Sequence, residues 1–166
     1  MDSRAILAEL PRLRRYARAM LGDRAAADDL VQDTLERAWS RISLWRPGSD
    51  LRAWLFGIMH NLRVDQLRRP SLATHSIDEA TEDVPTRATQ TDYLEVMDLE
   101  SALQRLPDEQ REVLLLVALE DFSYAEVAAA LAIPLGTVMS RLSRGRERLR
   151  QIMASRPVAT QLKVVR

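Results

Sequence analysis

The chain has 166 residues, 46% of them hydrophobic, with 24 basic and 24 acidic side chains and no cysteine. That length buries one medium core or two small ones, each small one marginal by itself. The lack of cysteine excludes a disulfide framework, a thiolate metal site and a thiol nucleophile, and is compatible with a reducing, cytoplasmic setting. No apolar run reaches membrane-spanning length, and the charged amphipathic start MDSRAILAELPRL is not a signal peptide pattern.

The zero net charge conceals a block pattern. Residues 1–70 carry 13 basic and 9 acidic side chains, residues 71–100 carry 1 and 8, and residues 101–166 carry 10 and 7. Two mildly basic ends therefore flank an acidic middle. The expected organisation is all-α: two small helical domains joined by a flexible acidic linker.

In chain order, Ile6, Leu7, Leu10, Leu13, Tyr16, Ala17, Met20 and Leu21 trace one amphipathic helix that stops near Gly22. A second helix is expected over 25–42, with a core stripe of Val31, Leu35, Ala38, Trp39 and Ile42. Its other side shows Asp29, Gln32, Asp33 and Glu36 at i, i+3, i+4, i+7 spacing, where the like charges repel one another. Such a stripe is ordinarily a solvated face. After the turn Arg46-Pro-Gly-Ser, a third helix over 50–69 can be capped by Ser49 or Asp50 and buries Leu51, Trp54, Leu55, Ile58, Met59 and Leu62. Arg52, Phe56, His60, Asn61, Arg63, Arg68 and Arg69 are left for its outer surfaces. Rings mixed with arginines and amides suit single-stranded nucleic acid, because an unstacked base can lie on a ring while an amide reads its edge. At least two of Trp39, Trp45 and Trp54 are assigned to the core.

The stretch 71–92, SLATHSIDEATEDVPTRATQTD, has no sustained apolar period and reads as linker. Its acidic residues Asp78, Glu79, Glu82 and Asp83 are expected to occupy the basic surfaces loosely. Downstream, SYAEVAAALAIPLGTVMSRLSRGRERL at 123–149 is a helix-turn-helix pattern. Ser123 caps the first helix and Glu126 completes a capping box, a turn follows at 132–135, and Pro134 suits that turn or the first position of the next helix. In the second helix Val138, Leu142, Gly145, Leu149 and Met153 form a packing seam, while Thr137, Arg141, Arg144 and Arg148 recur on a neighbouring face. Arginine forks there can bond guanine or phosphate bidentately. The bland reading is a solvated charged face.

The segments AADDLVQDTLERAW (26–39), LRAWLFGIMHNLRVDQLRR (51–69) and LPDEQREVLLLVALEDFSYAEVAAALAIPLGTVMSRLSRGRERLR (106–150) resemble, in this order, a bacterial RNA polymerase sigma factor of the small extracytoplasmic-function class. That class keeps only sigma regions 2 and 4. The resemblance implies region 2 over 1–70, a linker over 71–93, region 4 over 94–153 and a tail over 154–166, for which there is no functional account. It implies that Asp29, Gln32, Asp33 and Glu36 grip the clamp helices of the polymerase beta-prime subunit, with the beta subunit as a further contact. The turn 44–50 and the helix face carrying Arg52, Phe56, His60 and Asn61 would melt the -10 element and capture a flipped base, with Arg63, Arg68 and Arg69 tracking phosphates. Thr137, Ser140, Arg141 and Arg144 would lie nearest the -35 bases, and Arg146 and Arg148 nearer the backbone.

Promoter DNA, core polymerase and an anti-sigma protein are the partners so implied, with no cofactor, metal, catalytic residue or membrane insertion. The chain departs from the family at Met139, a position that is often basic there, which leaves the preferred -35 sequence open. Two other classes stay in view. A helix-turn-helix regulator would bind duplex DNA without polymerase but would leave the acidic stripe unexplained. An enzyme is the weaker alternative, since His60 and His75 are the only histidines and no glycine-rich phosphate loop or HExxH pairing is present.

Overall fold

The computed structural model describes residues 3–69 and 90–155, and every regular element among them is helical. Helices α1 (Ser3–Ala8) and α2 (Leu10–Leu21) replace the single expected helix. The break has a local cause: Pro11, in the first turn of α2, has no N–H to donate backward and restricts the residue before it. α2 ends at Gly22 in the left-handed conformation (φ 68°), whose N–H bonds the Arg18 carbonyl.

α3 (Arg24–Ser40) is capped by Asp23, whose carboxylate accepts from the Ala25 N–H at 3.1 Å. Its buried face is Ala27, Leu30, Val31, Thr34 and Ala38, rotated from the expected stripe, and Trp39 is 39% exposed. Thr34 is tolerated in the core because its hydroxyl donates to the Leu30 carbonyl at 2.7 Å. A short 3₁₀ turn (Ile42–Leu44) leads to α4 (Leu51–Arg68), capped by Asp50, which accepts from the Arg52 and Ala53 N–H groups. Ser49 instead closes the preceding turn onto the Arg46 carbonyl.

The second set comprises α5 (Gln90–Gln104), α6 (Asp108–Ala118), α7 (Tyr124–Leu131) and α8 (Leu135–Ala154). α5 begins inside the stretch expected to be linker. The acidic residues 78–83 and the segment 156–166 lie outside the described residues. α7 is capped by Ser123, which accepts the Glu126 N–H at 3.0 Å, and stops at Ala132 in the left-handed region (φ 53°). α8 then leaves at 109° to α7, within the range of helix-turn-helix units. Pro134 is the residue preceding α8, with Val138, Leu142 and Gly145 buried as the seam. Close approach explains Gly145: a Cβ there would stand 3.3 Å from Gln110 Cβ on α6.

The two sets pack together, α2 on α6 and α5 and α4 on α7, so that a single hydrophobic cluster runs from Ile6 through Phe56 to Leu142. Arg111 of α6 is the polar pin of this junction. Its guanidinium is buried and donates to the carbonyls of Leu103 (2.9 Å), Leu106 (2.9 Å) and Met20 (2.6 Å), and so ties the ends of α5 and α2 to α6. Burial lowers its pKa, with Asp108 opposing the shift. No single helix among the described residues is long and apolar enough to cross a membrane.

Candidate functional site

Three surfaces carry the expected site residues, and the fold treats them differently. On α3, Asp29, Gln32, Asp33 and Glu36 are all exposed along one side, opposite the face that packs on α2 and α4. Gln32 Nε2 donates to Glu36 Oε1 at 3.3 Å. With Leu62, Asp65 and Arg69 of the α4 end, Asp33 and Glu36 also line a shallow groove. The stripe is thus an acidic ridge open to a basic partner.

The outer face of α4 is largely covered. Phe56, expected on the surface as a stacking ring, is 2% exposed. It sits edge-on between Tyr16 (centroids 5.1 Å apart) and Phe122 (5.3 Å), the latter contributed by the loop between α6 and α7. Sequence reasoning misplaced it because the ring that covers it comes from the far half of the chain. Around this aromatic stack, basic groups of α4 meet carboxylates of α6 and α7. His60 Nδ1 lies 2.5 Å from Glu112 Oε1, Arg63 brings Nη2 and Nε to 3.1 and 3.2 Å of Asp108 Oδ2, and Arg52 Nη2 stands 3.7 Å from Glu126 Oε2. The Arg52 guanidinium carbon is also 4.5 Å from the Phe122 ring centroid, a cation–π arrangement. Asn61, Arg68 and Arg69 are exposed. A groove lined by Leu44, Asp50, Trp54 and Asn61 has Ala129 and Ala130 of α7 as its other wall.

Further along the junction, Arg15 Nη2 of α2 donates to Glu120 Oε1 at 3.1 Å and to the Leu119 carbonyl at 3.2 Å. Glu120 is buried, and its second oxygen has no hydrogen-bond partner. Burial raises its pKa, against the opposing pull of Arg15. Burial, with Glu112 and Glu120 near, likewise holds the Tyr16 phenol well above its ordinary value. Gly57 permits the closest backbone approach, since a Cβ there would lie 3.0 Å from the Ala130 carbonyl oxygen. None of Asp108, Glu112, Glu120, Phe122, Glu126 or Gly57 was singled out from sequence as part of a site. The available signal was Glu112 itself, a carboxylate set on the apolar face of REVLLLVA.

On α8 the candidate reading residues face outward. Ser140, Arg144, Arg146 and Arg148 are exposed, Thr137 is half-buried, and the Ser140 hydroxyl donates to the Thr137 carbonyl at 3.1 Å. Arg141 lies at the edge of this face, with Nη2 3.6 Å from Glu109 Oε2 on α6. Among the described residues no group of three or more His, Asp or Glu side chains could hold a metal ion.

The comparisons with known proteins put these two helical units in one class, the RNA polymerase sigma factors. Residues 6–60 match the family described as the Sigma2 domain of PhyR, and residues 97–149 match Sigma-70, region 4. The ECF RNA polymerase sigma factor EcfG of Rhodopseudomonas palustris is 40% identical over 149 residues, covering 89% of this chain and 82% of that protein. The sigma factor RpoE of Bartonella quintana, solved with the anti-sigma factor NepR, is 31% identical with a TM-score of 0.72, covering 93% and 97% of the two chains. CnrH, solved with the cytosolic domain of CnrY, is 27% identical with a TM-score of 0.69, covering 93% and 88%. The chain belongs to the extracytoplasmic-function RNA polymerase sigma factors. Proteins of this family bind core RNA polymerase and direct it to promoters.

Proposed function

We propose that this sigma factor is held in the arrangement described above as a stored form, and that binding to core polymerase exchanges it for an open, promoter-reading form. Region 2 spans 1–70, region 4 spans 94–153, and 71–93 connects them. The observation that carries the reading is the division among the three surfaces. The ridge of Asp29, Gln32, Asp33 and Glu36 is free for the beta-prime clamp helices, and α8 presents Thr137, Ser140 and Arg144 for the -35 duplex. The -10 face of α4, in contrast, is engaged by Asp108, Glu112 and Glu126. Asp108 and Glu126 hold arginines that DNA phosphates would otherwise attract, and Glu112 covers His60.

In the open form Arg52, His60, Asn61, Arg63, Arg68 and Arg69 contact the melted -10 strand, whose base extraction, a matter of a few kcal/mol, is offset by stacking and edge contacts. Phe56 loses the cover of Phe122 on opening and joins that face. Arg146 and Arg148 serve the -35 backbone. An anti-sigma protein controls the exchange by binding the stored form in preference. Support for this comes from the relative RpoE of Bartonella quintana, solved with the anti-sigma factor NepR.

The test is selection of promoters from a randomised library by the purified chain with core polymerase. Joint enrichment of a -10 and a -35 motif is expected. Enrichment of a single duplex site by the chain alone, with no dependence on polymerase, would favour the duplex-binding regulator instead.

A further inference from the structure

We propose that Met139 reads a thymine of the -35 element through the base's C5 methyl group. The inference rests on α8 being the -35 reader and goes beyond it by assigning a base contact to an apolar side chain. Met139 lies in the second turn of α8 and is 52% exposed; Leu135, one turn earlier on the same side, is 49% exposed. Neither belongs to the buried seam of Val138, Leu142 and Gly145, and Met139 stands at the solvent-facing edge of that seam, beside Leu142.

The groove beside Met139 is completed by Tyr124 at the start of α7 and, further along α8, by Leu142, Ser143, Arg146 and the ion pair of Glu147 with Arg150. The apolar patch is thereby continued by the exposed Arg146, which suits a base edge with a phosphate beside it. The N-terminal residues of the second helix are the ones a helix-turn-helix carries to the base edges. Of the groups displayed in the major groove, the thymine methyl is the one recognised by apolar contact. An unbranched thioether adapts to it without demanding a fixed rotamer. The neighbouring hydroxyls of Thr137 and Ser140 remain for polar edges.

The experiment uses the full chain and a -35 duplex recovered by selection, with each thymine replaced in turn by deoxyuridine. That exchange removes the methyl and keeps the hydrogen-bonding edge. At one position the wild type is expected to lose about fourfold in affinity, the loss that corresponds to one buried methyl-sized group. Met139→Ala should bind the two duplexes equally. Met139→Lys should also bind them equally, with a log–log salt slope steeper by about one, because the ammonium adds a phosphate contact. Both variants keep the fold, as a thermal melt will verify, since the side chain stands on the surface. Indifference of the wild type to every thymine replacement, or an unchanged thymine-to-uracil ratio in Met139→Ala, overturns the proposal. Failure of the wild type to bind any -35 duplex would refute α8 as the reader, and the assignment of Met139 with it.

Discussion

Gly57→Ala is the perturbation that acts on the closed junction with least effect elsewhere. Within α4 the change favours the helix by about 0.5–1 kcal/mol, because alanine loses less backbone freedom than glycine. That gain is common to the closed and open forms and keeps region 2 folded. In the closed form the new Cβ would stand 3.0 Å from the Ala130 carbonyl oxygen, so α7 must retreat by a few tenths of an ångström along a backbone already packed on α4. Overpacking of this kind costs about 1–3 kcal/mol.

Of the ion pairs that resist opening, Arg52–Glu126 and Arg63–Asp108 are partly exposed and contribute little, while the His60–Glu112 contact is largely buried. A shift of about 1–3 kcal/mol therefore moves the closed–open equilibrium by roughly 5–150-fold. The chain has no cysteine, so cysteines introduced at the exposed Ser40 and Ser155 are its only thiols and carry a donor and an acceptor dye. The distance between them should lengthen, and affinity for a single strand carrying the -10 element should rise by up to that factor. Wild-type compactness together with unchanged strand affinity, in a variant that melts no lower than wild type, would refute the idea that this junction limits access to α4.

Replacing Asp29 and Asp33 together by alanine should weaken core polymerase binding, measured by fluorescence anisotropy, and leave -35 duplex binding intact; equal losses in both would refute the docking ridge. Arg141→Ala should lower discrimination at one -35 base by about 1–3 kcal/mol, whereas a uniform loss over all sequences would make it a phosphate contact. Glu120 predicts a pH effect. Because its pKa is raised in the closed fold, that fold takes up a proton more readily than the open chain does. Closure is therefore favoured at low pH, and the advantage is lost as pH rises from the ordinary glutamate range through the raised value. Melting temperature should follow this slope in the wild type, and Glu120→Gln should flatten it; an unchanged slope would refute the assignment to Glu120.

Local chemistry made much of the fold legible. The Asp50 and Ser123 caps, the stop at Gly22 and the Val138–Leu142–Gly145 seam follow from side-chain chemistry within a few residues, and each stands where the sequence places it. Pro11 carries enough information to break the first helix, yet the apolar stripe runs across it and masks the break. Trp39 and Phe56 exchanged roles for a different reason. Periodicity ranks faces by hydrophobicity, and an indole one turn from a polar stripe scores as core. The ring of Phe56 is covered by Phe122, a contact between distant parts of the chain that no local pattern encodes. The same holds for Glu112, which reads as one more helix charge until His60 is placed beside it. The acidic ridge and the α8 face were visible because each is complete within one helix. The junction was not, because it is made of complementary halves.

The central claim is that region 4 and the -10 strand compete for one face of α4. A direct test is to titrate a single strand carrying the -10 element into the protein labelled at Ser40→Cys and Ser155→Cys, otherwise unaltered, while following strand binding and interdomain distance in the same sample. The domains should separate in step with occupancy, and a strand of unrelated sequence should separate them far less. Saturable, sequence-selective binding with the interdomain distance unchanged would contradict it.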